Sequence, residues 1–373
     1  MSSERIFDRF VRLCETPSPT GEERAVADMV IAELRELGLE VEEDRSAGPA
    51  RAGAGNVVAR LAGRSDGFVM LSAHLDTVPH EEVIEVELTD GVYRSRGPTI
   101  LGADNKAAVT VLLELAATYA SSPAPTGIEL VFTVAEEQGL RGAKALDVSS
   151  LRAPFGFVFD HASPTGELIV GAPTYKRLTA EFEGSEAHAG VRPEQGRSAI
   201  AAAAAAVTEM KLGRLDDETT ANVGVIDGGS APNVVPGACR LEAEARSLDH
   251  PRAAETIGAM VDACTWAAGE HGCDVGVEVS ELFRAYRVSA SSKPVSIARE
   301  ALSRCGHEPV NVTTGGGSDA NALIAAGFDC VMLANGTRDN HTPEESVAAD
   351  RLVEMFEVCK SIVDVSATTG IDA

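Results

Sequence analysis

The chain is poor in positive charge, lacks paired cysteines and has no long apolar run. Lys and Arg total 32 against 57 Asp and Glu, giving a formal charge of −25. A surface this acidic repels phosphate backbones and anionic lipid, which argues against nucleic-acid and membrane-surface roles. The seven cysteines are scattered, odd in number and contain no CxxC pair. That pattern fits reduced thiols in a cytoplasmic protein, most of them small buried hydrophobes. Charges interrupt the N-terminal stretch MSSERIFDRFVRLCETPSP, so it offers no secretory apolar region. No segment approaches the roughly 20 uninterrupted apolar residues of a membrane span; the alanine run near Ala201 is short and weakly apolar.

What is present fits two globular domains. The length of 373 residues exceeds one ordinary domain, and 44% hydrophobic residues suffice for a real core. In the first third, helical periodicity over Glu4 to Glu15, Glu22 to Leu37 and Asp104 to Ala120 alternates with short apolar runs. The runs Asn56 to Leu61, Phe68 to Ser72, Gly127 to Thr133 and Phe155 to Phe159 read as buried strands. This alternation predicts an α/β fold with a mostly parallel sheet flanked by helices.

From about Pro173 to Phe283 the texture changes. Tyr175 to Phe182 and Arg240 to Arg246 alternate like half-exposed strands, with helical segments at Arg197 to Met210 and Pro251 to Gly269. The order predicts a split βαβ, ferredoxin-like α+β insertion. Helical periodicity returns at Pro294 to Cys305 and from Ser346 to about Val365, with Glu308 to Val312 extended and the last eight or so residues a frayed tail. The expected domains are 1–173 plus 284–373, discontinuous, and an inserted 174–283. Edge strands of the insertion favour pairing with a second copy, so a homodimer through that domain is expected.

In parallel-sheet proteins ligands sit beyond the carboxyl ends of the strands. Run after run here ends in an acid or an imidazole. FVMLSA leads to His74-Leu-Asp76, and GIELVFTV leads to Ala-Glu136-Glu137. FGFVF ends on Asp160, VMLANG precedes His341-Thr-Pro, and Leu-Gly-Ala-Asp104-Asn-Lys stands where a helix begins. Two histidines (His74, His341) and three carboxylates (Asp104, Glu137, Asp160) match a pair of Zn²⁺ or similar ions with one bridging carboxylate. His161, next to Asp160, is a rival ligand. Glu136 is left free to take a proton from a shared water. Asp76 is placed to accept the other imidazole N–H of His74 and fix its tautomer. His80, His250, His271 and His307 have no motif context and read as surface residues.

These motifs, with the loop Gly315-Gly-Gly-Ser318-Asp, resemble the peptidase T, carboxypeptidase G and acetylornithine deacetylase family of metallohydrolases, most closely its peptidase T branch. The resemblance covers nearly the whole chain. It implies a zinc-exopeptidase fold with an inserted lid and dimerisation domain. It implies two divalent ions, Zn²⁺ first with Mn²⁺ or Co²⁺ as alternatives. Asp104 would bridge, His74 and Asp160 would complete one ion, and Glu137 and His341 the other. Glu136 would be general base and then acid. Ser185-Glu-Ala-His188 resembles the segment whose histidine helps bind the substrate carbonyl, in dimeric members from the partner subunit. Ala231-Pro-Asn233-Val-Val-Pro resembles a substrate-binding segment, and Arg246 the arginine that grips a substrate carboxylate. Gly315 to Ser318 would offer backbone N–H groups to an anionic or carbonyl group. The implied activity is aminopeptidase-like cleavage of di- and tripeptides. N-acyl amino acid deacylase or carboxypeptidase action on the same scaffold is the alternative.

Overall fold

The computed structural model describes residues 3–369 and resolves them into two compact units. One unit holds residues 3–170, 287–313 and 318–369; the other holds Gly171–Tyr286 with the short segment Thr314–Gly317. The expected limits lay at 173/174 and 283/284, with 314–317 in the larger domain. That segment goes with the smaller unit because the Thr314 N–H donates to Gly171 O at 3.0 Å and Gly315 O accepts from Arg246 at 3.1 Å.

The larger unit is built on a mixed sheet flanked by helices. Its centre is four parallel strands in the order Gly127–Thr133, Phe68–His74, Phe155–His161, Asp329–Ala334. Every residue of Gly127–Thr133 is buried, and Phe68–His74 is nearly so. Such largely apolar, buried runs suit strands covered on both faces, and the one acid among them, Glu129, is paired to Arg60. The edges are antiparallel: Glu40–Glu43 pairs with Val57–Leu61, which pairs with Gly127–Thr133, and Glu167–Ala172 pairs with Asp329–Ala334. The sheet is therefore parallel only through its middle. The helix Ala103–Ser121 is buried on nearly every face, in keeping with its run of Ala, Val and Leu. Its one interior acid, Glu114, is 0% exposed and ion-paired to Arg5 and Arg9.

Two features depart from the sequence expectation. Ser346–Ala348 is not helical. It is a strand, pairing Val347 with Tyr93, and the final helix starts at Ala349. That helix continues to Thr369, so the expected frayed tail is helical up to there; 370–373 lie outside the described residues. The strand belongs to a separate four-stranded sheet with Thr337–Arg338 and the hairpin Val86–Thr89, Val92–Ser95. The pair Thr337–Arg338 and Ser346–Ala348 brackets the loop carrying His341.

The smaller unit has five antiparallel strands in the order Gly213–Asp216, Thr219–Gly228, Ala238–Ser247, Thr174–Glu183, Asp274–Phe283. Its helices are Ala199–Glu209 and His250–Glu270. Apart from the short edge strand Gly213–Asp216, the chain order is βαββαβ, as expected for the insertion. In Ala238–Ser247 the inward residues Cys239, Leu241, Ala243 and Ala245 alternate with more exposed ones. They meet Ala202, Ala203 and Ala206 of the first helix and Ile257, Met260 and Cys264 of the second.

Candidate metal centre

Because the four central strands are parallel, their carboxyl ends lie at one end of the sheet. His74 closes its strand opposite Thr133, and the loop following Thr133 carries Glu136 and Glu137. Asp160 lies at the end of its own strand. Asp104 arrives differently: Gly102 has φ +72°, a left-handed turn that glycine adopts without strain, and the helix follows.

These side chains converge. His74 Nε2 is 3.2 Å from Asp104 Oδ1 and 3.3 Å from Asp160 Oδ1. His341 Nε2 is 3.2 Å from Asp104 Oδ2 and 3.0 Å from Glu137 Oε1. Each histidine thus faces a different oxygen of one carboxylate and has a second acid of its own. Ligand atoms of His74, Asp104 and Glu137, and again of His74, Glu136 and Asp160, lie within 4.8 Å of one another. His161 is in neither group. His74 is 1% exposed and Glu136 7%, whereas the His341 side chain is 50% exposed at the mouth of the cluster.

The electrostatics follow from crowding acids around two imidazoles. Burial lowers the His74 pKa, but Asp160, Asp104 and Asp76 outweigh it and hold it well above the ordinary value. Bonds to Asp104 and Glu137 push His341 up to about 10. Burial raises Asp104, yet its contacts with His341 and His74 more than reverse this. For Glu136 the balance goes the other way: burial and the Asp160 charge outweigh the nearby His74 and push it well up. A buried cluster with more carboxylates than bases is where a divalent cation lowers the energy, and two imidazole nitrogens with three carboxylates form a donor set suited to Zn²⁺, Mn²⁺ or Co²⁺.

Around these groups lies a set of braces. His74 Nδ1 donates to the backbone carbonyl of Asp76 at 2.9 Å, while the Asp76 carboxylate stands 3.5 Å from that nitrogen. The carboxylate instead receives the N–H of Glu136 at Oδ1 (2.9 Å) and of Glu137 at Oδ2 (3.2 Å), and the Thr20 hydroxyl. Asp76 therefore orients both the histidine and the Glu136–Glu137 loop. Asn105 Nδ2 donates to Phe159 O at 2.6 Å and Asp160 Oδ1 at 3.3 Å. Asn340 Nδ2 donates to Asp104 Oδ2 at 2.9 Å. Glu345 accepts the N–H groups of Leu101, Gly102 and Asp104, each at 2.8 Å, and burial raises its pKa to about 7. Asp319 is 1% exposed, takes the Thr133 hydroxyl on one oxygen and is raised by burial to about 6. Asn105, Asn340, Glu345 and Asp319 carry no mark of their role in the sequence beyond their closeness to motif residues.

In the smaller unit, His188 and Asn233 lie on adjoining segments. Ala187–His188 pairs with Val234–Val235, and the Ala189 N–H donates to Asn233 O at 3.0 Å. Both side chains are exposed. The Arg246 guanidinium lies 4.2 Å over the Tyr175 ring, bonds Glu244 through Nε and Nη2 at 3.1 Å, and donates from Nη1 to Gly315 O. Ser318 is fully buried, and its hydroxyl caps the helix Asp319–Ala325 in a capping box with Asn321. Its side chain is thus committed to the helix.

Residues 70–364 match the model of peptidase family M20/M25/M40. The uncharacterised protein YqjE of Bacillus subtilis (strain 168) is 34% identical over 369 residues, 98% of this chain and all of that one. The crystal structure of aminopeptidase PepT from Bacillus cereus ATCC 10987 is similar with a TM-score of 0.86 and 35% identity, covering 98% of this chain and 99% of that one. A tripeptidase from Staphylococcus aureus subsp. aureus Mu50 gives a TM-score of 0.92 and 34% identity, covering 99% of each.

Proposed function

The chain belongs to peptidase family M20/M25/M40, and from that membership we propose that it is a two-zinc aminopeptidase that releases the N-terminal residue of di- and tripeptides. The similarity to an aminopeptidase and a tripeptidase along the whole chain supports the substrate class. One observation carries the chemistry: His74 and His341 address opposite oxygens of Asp104, each with a further acid, and the Glu136 carboxylate stands beside His74 and Asp160, its pKa pushed well up by burial and the Asp160 charge. In this reading His74 and Asp160 would hold one ion and Glu137 and His341 the other, with Asp104 serving both. Bound divalent ions would supply Lewis acidity, acidifying a water and polarising the scissile carbonyl.

The protein's own groups perform the proton transfers. Glu136 takes the proton of the attacking water and returns it to the leaving amine. Asp76 fixes the backbone of Glu136 by accepting its peptide N–H, which limits the reorganisation its side chain needs. Arg246 receives the substrate carboxylate, its guanidinium already oriented by Tyr175, Glu244 and Gly315. His188 and Asn233 bind the peptide carbonyl, and the amides of the Gly315 loop offer further donors to an anionic or carbonyl group. The seven unpaired cysteines and the lack, among the described residues, of any helix long and apolar enough to cross a membrane support a cytoplasmic setting. The open edge of the five-stranded sheet supports dimer formation through the smaller unit.

The test is direct. Metal is removed by chelation, Zn²⁺, Mn²⁺ or Co²⁺ is restored, and turnover is measured on dipeptides, tripeptides and N-acyl amino acids. Restored cleavage of free-amine peptides is expected, with N-acyl amino acids inert. Glu136→Gln should keep its metal and lose about 10²–10⁴-fold in kcat. No turnover with any metal would sink the assignment, and turnover of N-acyl amino acids alone would replace the substrate class.

A further inference from the structure

The loop that delivers Glu136 makes a tight reversal just after the strand Gly127–Thr133. Ala135, the residue before Glu136, has φ +50°, the left-handed region that residues with a Cβ disfavour. Such a conformation persists only where the surroundings over-determine it. Here four successive amides each donate to a side-chain acceptor: Val134 to Asn56 Oδ1 (3.2 Å), Ala135 to Glu23 Oε1 (3.2 Å), Glu136 to Asp76 Oδ1 (2.9 Å) and Glu137 to Asp76 Oδ2 (3.2 Å).

Glu23 is the member of this set that needs explaining. It is 0% exposed, and a buried carboxylate is costly unless its oxygens are fully bonded. Its bonds go to backbone amides: Gly21 and Ala135 on Oε1 and Gly53 on Oε2 (2.6 Å). It stands at the N-cap of the helix Arg24–Glu36, where an acid ordinarily bonds the first turn, yet its side chain makes no bond to that helix. The carboxylate is turned away from its own helix and onto the reversal at Ala135. The sequence offset is 112 residues, so no local turn chemistry accounts for the contact.

Resting on the reading of Glu136 as general base, we infer that Glu23 is a positioning residue: it holds Ala135 in the left-handed conformation and so fixes the direction in which Glu136 enters the site. It touches neither substrate nor reacting atoms and donates nothing to the cation ligands. Ala135 is bonded directly to Glu136, whereas the amide of the next residue, Glu137, is held separately by Asp76, so the effect of Glu23 falls first on the proton-transfer step.

Three measurements on the metal-loaded protein test this: kcat and KM on a tripeptide, bound metal per chain, and thermal unfolding. In Glu23→Gln the side-chain amide places an N–H group against at least one of the three N–H groups it must accept. The expected result is a kcat lower by about 10–100-fold, the range that a misplaced catalytic group produces. KM should stay within about twofold, with metal stoichiometry unchanged. Glu23→Asp keeps the charge and both acceptors but is one methylene shorter, and it should fall between wild type and Glu23→Gln. Wild-type kcat in a folded Glu23→Gln protein would overturn the inference. So would a loss of rate that tracks loss of metal, or failure of both variants to fold, since each assigns Glu23 to stability. Glu136→Gln serves as the control: if it retains activity, the reading of the base is wrong; if it is inactive while Glu23→Gln is not, only the role of Glu23 falls.

Discussion

Glu345 Oε1 accepts the backbone N–H of Asp104 at 2.8 Å, across 241 positions of sequence, while Oε2 holds the amides of Leu101 and Gly102. The acid four residues after His341 thus anchors the loop that presents the carboxylate lying between the two histidines. Both oxygens act as acceptors, so Glu345→Gln opposes a donor with a donor. Zn²⁺ affinity should fall by about 10–100-fold, the usual cost of losing an outer support of a metal ligand. Competition against a chromophoric chelator measures it, and unchanged affinity would remove Glu345 from that role.

The two oxygens of Asp104 make a second, stoichiometric prediction. In Asp104→Ala each histidine loses the acid it shares with the other, so dialysed protein should retain neither ion tightly. His341→Ala removes one nitrogen from one side only and should leave close to one ion per chain. Elemental analysis separates the outcomes. Equal metal content in the two variants would show that Asp104 does not serve both positions.

Arg246 offers a test of substrate recognition. Lys at this position keeps the charge and loses the planar fork that Tyr175 and Glu244 orient. KM for a peptide with a free carboxylate should rise about tenfold or more, or roughly 1.4 kcal/mol, while a C-terminally amidated peptide should be affected little. If both peptides respond equally, the guanidinium does not read the carboxylate.

The larger unit also carries an acid whose role is purely structural. Burial raises the pKa of Glu114, but bonds to Arg5 and Arg9 outweigh it and hold it below the usual glutamate value. A carboxylate depressed on folding stabilises fully above its unfolded pKa, and that stability is lost as pH falls through the folded value. Thermal unfolding of metal-free protein should therefore show stability declining below about pH 4.5. Glu114→Gln should cost about 3 kcal/mol at neutral pH, because Arg9 is left buried with one partner fewer, and should flatten that decline. An unaltered pH profile would refute the assignment.

Much of this organisation was legible in the residues, for identifiable reasons. Apolar runs ending in His74, Asp160 or the Glu136 loop expose the strand ends, because buried parallel strands are mostly apolar and polar groups gather where they stop. The βαββαβ insertion was legible from the half-exposed alternation of strands such as Ala238–Ser247. The antiparallel flanks of the main sheet were not, since Glu40–Glu43 is short and charged and gives no apolar period. Ser346–Ala348 read as the start of a helix because three residues carry no periodicity of their own; pairing with Thr337–Arg338 on one side and with Tyr93 and its neighbours on the other makes them a strand. Glu23 and Glu345 were invisible for another reason. They act on peptide N–H groups, which every residue but proline possesses, so nothing in the identity of their partners marks them.

The cluster around Asp104 also bears on how the protein endures in a cell. Without cations its buried acids face one another with only two imidazoles between them, and mutual repulsion favours local opening of the loops at 101–104, 134–137 and 339–345. Ions that bind the folded chain shift that balance by mass action. Nutritional scarcity of the metal should then shorten the lifetime of the polypeptide as well as silence it, as proteases find the loosened loops. Abundance of the protein would follow trace-element supply even at constant synthesis.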